Sequence, residues 1–123
     1  MSRTLEILDR LIGFPTVSAD SNLDLINYVH GLLSDLGFSI YKIPDASGQK
    51  AGMFASIGPA GPGVMLSAHS DVVPVAGQTW TRDPFRMTVD QGRAYGRGTA
   101  DMKGYVASVL SLAERAATCP LRE

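Results

Sequence analysis

Apolar residues recur at helical spacing in three stretches of the chain, separated by shorter apolar runs. Leu5, Leu8, Leu11 and Ile12 predict a first helix over 5–12, with Ser2 as its cap. Gly13 and Pro15 end it, glycine in the left-handed position and proline as a residue that cannot continue. Leu25, Ile26, Val29, Leu32, Leu33 and Leu36 form one stripe of a second helix. Ser21 is its expected N-cap, Asp24 stands where a capping-box acid would, and Gly37 closes it. Strands are expected over 38–43 and 51–57, joined by the turn residues Pro44-Asp45-Ala46-Ser47-Gly48. After the stop Gly58-Pro59-Ala60-Gly61-Pro62-Gly63, the run Val64-Met65-Leu66-Ser67-Ala68 lacks alternation. That predicts a strand covered on both faces. A polar region then leads to 101, with a short strand pair expected at 86–89 and 93–95. A last helix over 102–117 carries Met102, Val106, Val109, Leu110 and Ala113 on one face. Helices alternating with strands predict an α/β fold, a mixed sheet flanked by helices.

Length and composition narrow the classes. The chain has 123 residues, 45% hydrophobic and 19% charged, an ordinary globular mixture of about one domain. Eleven Lys and Arg against twelve Asp and Glu leave a formal charge of −1. That gives no electrostatic reason to expect nucleic acid or an anionic membrane as partner. Cys119 is the single cysteine, so no internal disulfide forms, and a reducing, cytoplasmic setting is the simpler expectation. Charges interrupt the first apolar stretch, and no run approaches the ~18–20 residues of a membrane span.

Candidate chemistry concentrates in two clusters. In Ser67-Ala68-His69-Ser70-Asp71-Val72-Val73-Pro74, His69 falls where the expected buried strand ends. Ligands bind outside the carboxyl ends of strands in open α/β sheets, and a neutral imidazole there suits zinc. Asp71, two residues on, can orient that imidazole. The plain alternative is a histidine bonded to backbone. The second cluster is Tyr95-Gly96-Arg97-Gly98-Thr99-Ala100-Asp101-Met102-Lys103-Gly104, with Asp101 at a helix start. Asp101 reads either as a simple N-cap or as a carboxylate spanning two metals. A phosphate loop is excluded, because the glycine pattern is wrong and an acid at the helix start would repel phosphate. Arg97 and Lys103 read as solvated surface charge or as offsets to acidic ligands. Trp80, Pro84 and Phe85 read as packing residues, His30 as a flank histidine of the second helix, and Cys119 as a buried or idle thiol.

Together with Trp80…Asp83-Pro84-Phe85, these two strings resemble the co-catalytic zinc amidohydrolases. That family includes deacetylases, desuccinylases, aminoacylases and carboxypeptidases acting on linear amides. Gly13-Phe14-Pro15-Thr16-Val17-Ser18, Ser21-Asn22-Leu23 and Gly77-Gln78-Thr79-Trp80-Thr81-Arg82-Asp83-Pro84-Phe85 resemble the branch acting on N-acetylornithine.

The resemblance implies that His69 ligates one of two divalent metal ions, zinc or cobalt. It implies that Asp101 bridges both and that Asp71 is the catalytic aspartate behind a metal-bound imidazole. It implies a zinc-exopeptidase-like catalytic domain of which 1–123 is the N-terminal portion. The rest of that domain and a dimerisation or lid domain would lie elsewhere, and the full-length protein would form a homodimer. The reaction implied is release of acetate from N-acetylornithine, a small N-acyl amino acid, in arginine biosynthesis. The family's general-base glutamate and further ligands are not matched, so this stretch alone is expected to be inactive. A desuccinylase or carboxypeptidase of the same family, or a non-catalytic interaction module, are the alternatives.

Overall fold

In the computed structural model, residues 1–119 are described. Helix α1 (Arg3–Ile12) is followed by α2 (Leu23–Asp35), a hairpin of β1 (Ser39–Pro44) and β2 (Ala51–Ser56), and a second hairpin of β3 (Thr88–Asp90) and β4 (Arg93–Tyr95). The chain ends in α3 (Gly104–Thr118). The α/β class expected from the periodicity holds, with both hairpins antiparallel and one isolated parallel bridge, Val17 to Val72.

Ile7, Leu8, Leu11 and Ile12 bury one face of α1, and Ala107, Leu110 and Ala113 supply the facing surface of α3. The helices run antiparallel, because the start of α1 meets the end of α3: Arg3 donates to both carboxylate oxygens of Glu114 at 2.7–3.0 Å. Ser2 caps α1 as expected, its Oγ accepting from the Leu5 N–H at 3.4 Å. Gly13 departs from expectation. It is right-handed (φ −64°, ψ −14°), and its N–H closes onto Asp9 at 3.2 Å. The stop comes instead from Pro15, which offers no N–H and disfavours a helical Phe14.

The cap of α2 is Asn22 rather than Ser21, and it makes no side-chain cap bond. Its amide is engaged elsewhere. Asn22 donates to the Ala51 carbonyl and accepts from the Ala51 N–H, both at 2.9 Å, tying the start of α2 to the start of β2. Ser21 Oγ takes the Leu23 N–H at 3.2 Å. Gly37 closes the helix in the left-handed conformation, φ +86°. Leu25, Ile26, Val29 and Leu33 complete the core, and His30 lies half-buried beside them.

The hairpins match the expected strands within about two residues. The stretch 64–68 does not. It is extended but unpaired, with Val64 90% and Met65 76% exposed. A continuous apolar run becomes a buried strand only when sheet neighbours and covering layers exist, and no described residue supplies them. The last helix also begins later than expected. Asp101 (φ −128°, ψ 96°) and Met102 (φ −134°, ψ 27°) are not helical, so 99–103 forms one wide turn before α3. The Asp101–Met102 peptide is cis. Cys119 is exposed rather than buried. Residues 120–123 lie outside the described residues.

Candidate metal centre

His69 follows the unpaired run and precedes the residues that dock on the N-terminal segment. It is therefore fixed from its far side and not by a sheet. Val72 donates its N–H to Thr16 O at 2.9 Å, and Ser18 donates its N–H to Val72 O at 3.2 Å. The buried Thr16 sends its hydroxyl to the Ser70 carbonyl at 2.6 Å. Asp71 thereby comes under Ser18, whose hydroxyl donates to Asp71 Oδ2. The His69 N–H points to Met102 Sδ at 3.4 Å, joining this segment to the Asp101 turn.

The imidazole lies between two carboxylates. Nδ1 is 3.1 Å from Asp71 Oδ1 and 3.1 Å from the Asp71 carbonyl oxygen. Nε2 is 3.1 Å from Asp101 Oδ1. Partial burial works against protonation of His69, but the Asp101 hydrogen bond, the Asp71 carbonyl and the charges of both acids outweigh it and raise its pKa. The Ser18 hydroxyl, and after it the charge of His69, hold the Asp71 carboxyl below the usual range. Asp101 does not cap α3. Its side chain is 83% exposed and reaches back to His69.

The turn that carries Asp101 is built around Lys103. Expected as a solvated surface charge or an offset to acidic ligands, this residue is 1% exposed and bonds carbonyls instead. Its ammonium donates to Leu11 O at 2.9 Å and Phe14 O at 2.6 Å, where the end of α1 presents carbonyls with negative partial charge. Burial pushes its pKa down to about 8. Gly98, left-handed at φ +90°, leaves room for this packing: a Cβ there would stand 2.8 Å from Val72 Cγ1 and 3.3 Å from Lys103 Cδ. Gly104 is tighter still, since a Cβ would stand 2.3 Å from Thr99 O. Arg97 is not a free surface charge either. It lies over Trp80, 5.1 Å from the ring centroid, bonds Gln78, and keeps a buried Nε without a partner among the described residues. Its N–H takes the Pro84 carbonyl at 2.7 Å, so Trp80 and Pro84 brace the turn from outside.

The donor set suits a divalent metal in part. Two ligand atoms on one tetrahedral zinc, each bonded at about 2.0–2.1 Å, stand about 3.3 Å apart. Nε2 and Asp101 Oδ1, at 3.1 Å, match that spacing, with the second Asp101 oxygen free. Among the described residues no group of three or more His, Cys, Asp or Glu converges to hold an ion. The geometry thus brings together His69, Asp71 and Asp101. Sequence reasoning missed the supports, Ser18 and Lys103. Ser18 stands at the end of a string that resembles the family and Lys103 lies within the second cluster, but no local signal gives either its supporting contact.

Comparison with known proteins places both clusters in one matched segment. Residues 65–122, spanning both clusters, match the family model described as Peptidase family M20/M25/M40. The chain is 42% identical over 113 residues to an acetylornithine deacetylase of Shigella sonnei. That alignment covers 86% of this chain, and the chain spans 30% of the deacetylase. By its matched segment and by this likeness, the chain is similar to members of peptidase family M20/M25/M40.

Proposed function

We propose that the chain is the N-terminal portion of the catalytic domain of a metal-dependent amidohydrolase that releases acetate from N-acetylornithine. The observation that carries this reading is the approach of His69 Nε2 to Asp101 Oδ1, with Asp71 behind the same ring. Similarity to a deacetylase supports the substrate.

In this reading His69, through Nε2, and Asp101, through its carboxylate, would hold the divalent ions. Zinc and cobalt suit these donors equally. The ions, when bound, supply Lewis acidity toward an amide carbonyl and a hydroxide nucleophile at neutral pH. Asp71 acts through the imidazole: it keeps the proton on Nδ1, orients the ring and raises the basicity of Nε2. Lys103 and the two glycines beside the turn hold Asp101 at the distance His69 requires. The general base that the resemblance implies, a glutamate, would come from the rest of the domain. The lone cysteine fits a cytoplasmic setting.

Metal analysis and turnover of the full-length protein test this. Asp101→Ala is expected to lose at least one metal and nearly all hydrolysis of N-acetylornithine. Asp71→Asn is expected to keep its metals and lose rate. Two bound metals with normal turnover in Asp101→Ala would overturn the role of Asp101. Preference for N-succinyl-diaminopimelate would overturn the substrate.

A further inference from the structure

We propose that Ser18 is a positioning residue for this centre: its hydroxyl fixes the Asp71 carboxylate against His69 and keeps that carboxylate from turning toward a metal itself. The proposal rests on the reading of His69 as a ligand, but its geometry stands independently of any ion.

The position of Ser18 is set before its side chain matters. Its N–H is bound to Val72 O, its neighbour Val17 bridges Val72 in parallel, and its carbonyl accepts from Lys50 Nζ. With the backbone held at both ends, the hydroxyl faces Asp71 Oδ2. Asp71 then has one oxygen for Ser18 and one for His69. The consequence for the ring follows from counting donors. Nδ1 faces two acceptors, Asp71 Oδ1 and the Asp71 carbonyl, and Nε2 faces one, Asp101 Oδ1, so the single proton of the neutral imidazole is held better at Nδ1. Nε2 then keeps its lone pair on the Asp101 side, where an ion would replace the Asp101 contact. Remove the hydroxyl, and Oδ2 becomes an unpaired oxygen on a half-exposed side chain. The carboxylate is then free to rotate off Nδ1, the tautomer preference weakens, and Asp71 competes with Nε2 for the ion.

Two readouts test this on the full-length protein. The first is the neutral His69 tautomer, from the 15N shifts of its ring nitrogens in metal-free protein at pH about 9, above the ordinary imidazole range. The second is zinc affinity by calorimetric titration. The unaltered chain is expected to hold the Nδ1–H form predominantly. Ser18→Ala is expected to give a mixture of tautomers and to weaken zinc binding by about tenfold or more, the usual effect of losing a partner behind a ligand. Ser18→Thr should restore both. If Ser18→Ala fails to fold by circular dichroism, Ser18→Thr and Ser18→Val supply the same comparison, since they share a shape and differ in the hydroxyl. Unchanged tautomer and unchanged zinc affinity on loss of the hydroxyl would overturn the proposal, as would a predominant Nε2–H form in the unaltered chain. A tautomer shift in a chain that binds no zinc would uphold the positioning role and overturn the metal reading alone.

Discussion

Lys103 shows how one side chain connects distant parts of this molecule. Its ammonium is out of water, but two carbonyls at 2.6 and 2.9 Å replace the hydration it loses. Charge-assisted bonds of this kind contribute roughly 1.5–3 kcal/mol each. Lys103→Met keeps most of the stem that packs beneath Gly98 and removes only the donors. It is expected to destabilise the chain by about 1–3 kcal/mol in urea unfolding, and to loosen Asp101. A variant as stable as the unaltered chain would show that the two bonds merely offset the burial of the charge. None of this was legible in the sequence. His69, Asp71 and Asp101 stood out because their spacing resembles a known pattern. Lys103 and Ser18 act through partners 89–92 and 53 residues away, and no local signal encodes such contacts.

At the scale of elements, local physics was a good guide wherever an element stands by itself. The cap of α1, the left-handed Gly37 and the turn between β1 and β2 lie within a few residues of what they control. In that turn, Asp45 takes the Ser47 hydroxyl at 2.7 Å and the Lys50 N–H at 3.1 Å. The run 64–68 failed as a strand because a strand is a property of its neighbours. The start of α3 was misjudged because periodicity continues through Met102 while the backbone does not. The wide turn before α3 depends on the absence of side chains. Gly104→Ala would drive a methyl into Thr99 O, and Gly98→Ala would combine a clash with a left-handed backbone. Each is expected to cost about 1–3 kcal/mol and to lower zinc affinity, whereas Gly31→Ala in α2, with nothing within 4 Å, should be neutral or stabilising. Thermal unfolding of the three variants checks the order.

For the whole molecule, the α1–α3 pair is the frame, and its far end is closed by Arg3 and Glu114. The Arg3 hydrogen bond lowers the Glu114 pKa below its ordinary 4.5. A depressed carboxylate contributes stability that is complete above its unfolded pKa and is lost as acid protonates it in the folded state. Glu114→Gln should therefore cost below about 1 kcal/mol at pH 7, since the pair is partly solvated. The difference from the unaltered chain should shrink as pH falls below 4.5. Melting curves taken from pH 7 down to about 3 read this directly, and a constant difference would deny the pair its role. Apolar surface is left bare away from this pair of helices. Tyr41 and Phe54 on the first hairpin, and Val64 and Met65 beyond it, are all more than half exposed.

The grip of Lys103 on the end of α1 spans 92 residues of chain. Closing so long a loop costs entropy before any contact repays it. The carboxylate turn therefore cannot acquire its final shape early, while the chain is still gathering its local helices and hairpins. It matures only when the segment that closes α1 is met by a turn synthesised about 90 residues after it.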